Sequence, residues 1–158
     1  SLQSVEFNRA TVSGFNPGLL SGIVLTGANT EPTEGEDDGI LTALEVAALD
    51  LSKVDLAVLS ACETGLGEEA GGEGVLGLQR AFQLAGARTV VSSLWRVPDR
   101  QTSLLMQRFY HNVWQGKMSR IEALREAQIW ILRGGDEVER AEVPPSQWAA
   151  FVLSGDWR

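Results

Sequence analysis

Three features of the sequence predict an α/β layered domain with a largely parallel sheet. Strand-like and helix-like segments alternate, two strand-length apolar runs each open into a loop broken by glycine or proline, and a helical apolar face lies between those runs. The runs are Val54 to Ala61 and Thr89 to Trp95. Joined by a helix, they form the strand, helix, strand unit whose right-handed crossover makes neighbouring strands parallel.

Taken in order, Ser21-Gly22-Ile23-Val24-Leu25-Thr26 reads as a short strand. Gly27 to Gly39, rich in Glu, Asp, Pro, Thr and Gly, has too little apolar surface to pack and is expected to be a solvated, mobile loop. Leu41 to Leu49 suits a short helix ending near Asp50, with Thr42 as N-cap and Glu45 in the capping-box position. Val54 to Ala61 is nearly continuously apolar, the pattern of a strand buried on both faces. Gly65 to Gly74 holds five glycines and three glutamates and is expected to be a loop. From Val75 to Leu84 the positions Val75, Leu76, Leu78, Ala81, Phe82 and Leu84 define a helical apolar face, and Gly86 stops it. Thr89 to Trp95 is the next strand, and Arg96-Val97-Pro98-Asp99 is the loop after it. Helices are expected at about Arg100 to Gln115 and Ser119 to Arg133, the second with Ser119 and Glu122 as a capping box. Trp148 to Leu153 reads as a final strand, and no internal repeat is visible.

A chain of 158 residues with 44% hydrophobic content can bury a core and is read as one domain over residues 1–158. Its net charge of -8 repels a phosphate backbone, which argues against nucleic-acid contact. A single cysteine excludes an internal disulfide and a cysteine-rich zinc site. No apolar stretch reaches membrane-spanning length and no signal segment opens the chain, so a soluble, cytoplasmic setting without membrane contact is expected. The opening Ser1-Leu2-Gln3, without an initiating Met, is compatible with a domain cut from something longer or with processed ends, so it is not taken as a domain boundary.

In open α/β sheets reacting groups collect at the carboxyl ends of strands. Two such ends are Ser60-Ala61-Cys62-Glu63-Thr64-Gly65 and Trp95-Arg96-Val97-Pro98-Asp99. Cys62, the one thiol, sits where a strand opens into a glycine-rich loop, a place suited to a nucleophile, though it needs a base or positive charge to form thiolate at neutral pH. Composition by itself favours a space-filling cysteine. His111, the one histidine, lies inside a predicted helix away from any strand end and is read as a surface or half-buried helical residue. If Cys62 is catalytic, its base must come from residues missing from this chain. The glycine-rich stretch Gly65 to Gly77 lacks a Gly-Lys-Ser/Thr ending and carries Glu68, Glu69 and Glu73, which repel phosphate. The cluster Glu34, Glu36, Asp37 and Asp38 lacks the ligand spacing of a calcium loop. Neither a metal nor a cofactor is expected. Among five tryptophans only Trp95 stands at a strand exit.

These residues resemble the C-terminal portion of a CHAT domain, the caspase-like peptidase module often joined to tetratricopeptide repeats. The matching segments are Asp38 to Ala43 with Glu45, Asp55 to Leu59 with Ser60 to Gly65, and Glu73 to Leu78. They continue through Ala81-Phe82, Ala85 to Ala87, Val90-Val91, Ser93 to Trp95, Asp99, and Trp148 to Leu153. The resemblance implies a caspase-like three-layer sandwich with a mostly parallel central sheet, incomplete without an upstream segment. It also implies that Cys62 is the nucleophile of a cysteine endopeptidase and that its backbone N–H lines an oxyanion hole. The family's histidine stands in an upstream His-Gly pair that this sequence lacks, so either that segment precedes the chain or catalysis has been lost.

The loop from Trp95 to Asp99 also resembles the corresponding loop of separase, a related protease that cleaves after arginine. By that resemblance Asp99, with Trp95 beside it, binds substrate and favours a basic residue before the cleaved bond through a charge-assisted, bidentate pair. The plain alternative is that Asp99 caps the helix beginning near Arg100. Expected partners are a protein substrate, the upstream histidine-bearing segment, and a tetratricopeptide-repeat or other regulatory partner. A catalytically inactive interaction module is the competing reading, and the acidic loop counts against a third, nucleotide binding.

Overall fold

In the computed structural model, which describes residues 21–29, 38–60, 73–135 and 143–158, strand β1 (Gly22–Val24) pairs antiparallel with β2 (Ile40–Thr42), Ile23 opposite Leu41. Helix α1 (Ala43–Ala47) comes directly after β2. Thr42 stays extended, as an N-cap must. Its hydroxyl accepts from the Glu45 N–H at 3.3 Å, and the Glu45 carboxylate accepts from the Thr42 N–H at 2.8 Å. The expected cap is therefore present, but the helix is shorter than expected, because Leu41 and Thr42 extend into β2.

The central sheet has the order β3 (Leu56–Leu59), β4 (Thr89–Ser93), β5 (Phe151–Gly155). β3 and β4 are parallel, with Leu59 opposite Ser92. β5 runs antiparallel to β4, with Phe151 opposite Ser93. The described sheet is thus half parallel and half antiparallel rather than mostly parallel. β5 also starts later than expected, because Pro145–Gln147 forms a 3-10 turn and places Trp148 ahead of the strand. The strand expected to be buried on both faces, β3, is half-buried at all four positions, whereas β4 is buried at all five. Among the described strands β3 pairs with β4 alone, while β4 has a neighbour on each side.

Side chains alternate across the sheet, as period-two strands require. Leu56, Val58, Val91, Phe151 and Leu153 join Leu105, Phe109, Leu124 and Ile131 from α3 (Asp99–Trp114) and α4 (Arg120–Leu132) in one core. Leu59 turns to the other face, where Val46, Leu78 and Ala81 from α1 and α2 (Glu73–Leu84) form a second core. Among the described residues this is a mixed α/β structure with two sheets and four helices, the central sheet lying between two helix pairs.

Helix α2 corrects two expectations. It begins at Glu73 rather than after Gly74. Its apolar face is also rotated from the expected one: Leu76 and Leu84 are 55% and 71% exposed, while Gln79 is buried beside Leu78. Its end is as expected, since Gly86 has φ +107°. The Gly86 N–H donates to the Gln83 carbonyl and the Ala87 N–H to the Phe82 carbonyl, the paired bonds of a glycine-stopped helix. A Cβ at Gly86 would lie 2.9 Å from the Ser52 nitrogen. The loops expected at Gly27 to Gly39 and Gly65 to Gly74 fall largely on residues outside the described set.

Both helix ends can be tested by substitution. Gly86→Ala, strained by its positive φ and by Ser52, should lose more than about 1 kcal/mol in denaturant melts, without loss of the fold's helix signal. Ser119 caps α4: its hydroxyl accepts from the Glu122 N–H, and the Glu122 carboxylate accepts from the Ser119 hydroxyl and N–H. Those bonds, from the Ser119 side chain first and then its backbone, hold the Glu122 pKa below its ordinary value of 4.5. A carboxylate lowered in the folded state stabilises above its unfolded pKa, and that contribution is lost as pH falls through the folded value. Loss of the N-cap hydrogen bond in Ser119→Ala should cost about 1 kcal/mol at neutral pH. The difference between Ser119→Ala and wild type should narrow in melts taken well below pH 4.5.

Candidate functional site

Parallel pairing of β3 with β4 sends both chains out of the sheet at the same end. The antiparallel β5 enters from that end, since Phe151 lies opposite Ser93. Three segments therefore converge there: the chain leaving β3 at Ser60, Leu94 to Asp99, and Val143 to Ala150. At the opposite end stands a charged cluster, Asp55 with Arg88 at 3.4 Å and Arg120 at 3.9 Å, and Asp156 with Arg158 at 3.2 Å. Mostly exposed pairs of this kind add little stability. The Arg158 N–H and guanidinium lower the Asp156 pKa by hydrogen bonding.

Trp95 leaves β4 with its indole 39% exposed. The indole N–H donates to the Ser146 carbonyl at 2.9 Å, and the Leu94 N–H donates to the Ala150 carbonyl at 2.9 Å. Trp95 is therefore tied to the segment before β5. That segment is braced in turn: the Trp148 indole donates to the Val143 carbonyl at 3.2 Å, and the Gln128 side chain on α4 donates to the Phe151 carbonyl at 2.9 Å. Val97 is buried in the α3/α4 core, which pins the loop between Trp95 and Asp99.

Asp99 is exposed and is the first residue of α3. Pro98 occupies the N-cap position and no side chain caps the helix, so the expectation that Asp99 caps it is not met. Proline there presets the turn, and Asp99 one position later is left favourably placed against the helix dipole. Among the described residues its carboxylate forms no hydrogen bond or ion pair.

Cys62 comes three positions after the end of β3 and lies outside the described residues. The structure thus brings Trp95 and Asp99 to the strand-exit end that Ser60 leaves. His111 is exposed on α3, twelve positions along the helix from Asp99, or about 18 Å at the α-helical rise. It stands away from the strand exits, as the sequence indicates. Among the described residues no group of three or more His, Cys, Asp or Glu side chains could hold a metal ion, and no helix is long and apolar enough to cross a membrane.

Sequence reasoning missed the Val143 to Ala150 wall because it ran Trp148 into the final strand. Pro144-Pro145 was the available signal, since adjacent prolines cannot supply a strand's ladder donors.

Comparison with known proteins adds the family to this geometry: the CHAT domain family model matches residues 6–156. This chain belongs to the CHAT domain family. Tetratricopeptide repeat protein 28 from Homo sapiens is 34% identical over 116 residues, covering 73% of this chain and 4% of that protein. The Mus musculus protein of the same name gives the same identity and coverage. The CHAT chain thus spans about 4% of the length of the curated relatives it matches. CHAT domains are a family related to caspase-like peptidases.

The exposed end of this CHAT domain yields a prediction. Trp95→Phe keeps an aromatic ring but deletes the bond to Ser146, and should cost about 1 kcal/mol in denaturant melts. A cost near zero would show that the indole tie contributes nothing in solution.

Proposed function

We propose that this chain is the nucleophile-bearing part of a caspase-like cysteine endopeptidase, with Cys62 as nucleophile and the histidine on an upstream segment of the same protein. The thiolate attacks a peptide carbonyl, forming the S–C bond, and the backbone N–H of Cys62 with one from the histidine loop stabilises the oxyanion. As the C–N bond breaks, the amine takes a proton from the imidazolium. Water, deprotonated by the imidazole, then cleaves the thioester and restores the thiol. Asp99 and Trp95 bind the residue before the cleaved bond and favour Arg or Lys, a carboxylate meeting a cation beside an aromatic face. The domain is a caspase-like sandwich completed by that upstream segment, and its setting is cytoplasmic.

The parallel register of β3 and β4 is the observation that carries this reading. It supports a single cleft, because the strand leading to Ser60-Ala61-Cys62-Glu63-Thr64-Gly65 and the strand leading to Trp95 and Asp99 end side by side.

A second reading, a non-catalytic interaction module, draws on the α1 side of the fold. Val24, Leu25, Leu44, Leu49, Leu76 and Leu84 are all exposed there or on α2. A groove of about 140 Å³ runs between Leu25, Ile40, Leu41 and Leu49. The relatives' name adds tetratricopeptide repeats as a kind of partner.

Cleavage of a peptide library by the protein extended upstream through the histidine segment decides between them. Cutting after Arg or Lys is expected, with all activity lost in Cys62→Ala. Asp99→Ala should reduce kcat/KM on basic substrates by roughly 10- to 100-fold, the scale of a charge-assisted bond. Absence of cutting with the upstream segment present would favour the interaction module.

A further inference from the structure

Gln79 breaks the pattern of its own helix. It sits on the inward side of α2 between Leu78 and Ala81, where burial calls for an apolar residue, yet it is 7% exposed. Its side-chain N–H donates to the hydroxyl of Ser92, itself fully buried on β4, at 2.5 Å. Among the described residues, apolar side chains lie next to the pair in the fold: Leu78 and Ala81 on α2, Val90 one strand repeat from Ser92, and Leu59 opposite Ser92 on β3, with Ser154 of β5, its hydroxyl buried, opposite Val90. Either polar group alone would be a buried, unsatisfied liability, whereas an apolar pair of similar shape would be as stable. A paired polar contact kept in such a place has one property that the apolar pair lacks: it is satisfied in one register only.

Ser92 is level with Leu59, the last residue of β3, and three residues ahead of Trp95. Helix α2 is the element the chain enters after the Cys62 stretch, beginning at Glu73. We infer that Gln79 and Ser92 form a positioning pair, which sets where α2 stands along the sheet against the C-terminal ends of β3 and β4. This inference rests on the proteolytic reading of that end. Neither residue touches substrate. Their effect is to hold the element that comes after the nucleophile segment in register with the strand that delivers Trp95 and Asp99.

The test is steady-state peptide hydrolysis by the upstream-extended protein carrying Gln79→Leu, Ser92→Ala, both together, or Ser92→Thr. Single variants leave one buried polar group unpaired and are expected to lower the thermal midpoint. The double variant leaves none, so its midpoint should return towards wild type. Its kcat should nevertheless stay at least about 10-fold down with KM changed less than about 2-fold, while Ser92→Thr, which keeps a hydroxyl, should retain most of the wild-type kcat. A stable double variant with wild-type kcat overturns the positioning role and leaves the proteolytic reading intact. A wild-type protein that cleaves nothing overturns the proteolytic reading, and the positioning role falls with it.

Discussion

All five residues of β4 are buried, and its two edges are paired in opposite senses, parallel to β3 and antiparallel to β5. Backbone hydrogen bonding along both edges leaves the strand no freedom to slide without breaking two ladders at once. The layout of the domain depends on this. Parallel pairing carries two strand exits to one end of the sheet, and antiparallel pairing brings the entry to β5 to the same end. Trp95 then ties two of these segments together through Ser146. The charged cluster around Asp55, Arg88 and Asp156 is left at the other end, where it has no part in the candidate cleft.

Apolar packing on both faces holds that strand in place. On one side Leu105 and Phe109 of α3 and Leu124 and Ile131 of α4 close over Val91 and Phe151. Burial of side chains this size contributes about 1.5–3 kcal/mol each. On the other face, among the described residues, α1 and α2 pack around Val46 and Leu78 and admit the polar pin between Gln79 and Ser92.

Much of the chain is legible in its sequence because local chemistry and tertiary structure agree there. Thr42 with Glu45 and Ser119 with Glu122 mark helix starts in the sequence and are capping boxes in the structure. Gly86 marks a helix end for the reason that it adopts a positive φ. Where expectation and structure part, a long-range partner has outweighed a local signal. Leu41 and Thr42 look helical together with Ala43 to Leu49, but β1 recruits them as a strand. Leu76 and Leu84 have the spacing of core residues, yet α2 packs on β4 with Gln79 turned inward to Ser92 and leaves them exposed. Asp99 has the chemistry of a cap, but Pro98 already occupies that position. Of the candidate site, both strand exits were legible, whereas the wall formed by Val143 to Ala150 was not, because its contacts with Trp95 span about fifty residues of chain.

Neighbours within a few residues of one another settle the helix caps and stops, the two strand-length runs, the lone thiol after a strand, and the motifs that mark the CHAT family, and all of these can be read from the amino-acid order. Folding in three dimensions was needed to decide the direction of β5, which of β3 and β4 is fully buried, the inward turn of Gln79, and the bond from Trp95 to Ser146. Each of those depends on residues far apart in the chain. Hydrophobic periodicity states which face of an element seeks burial, but hydrogen-bond pairing and packing angle choose the neighbour that buries it.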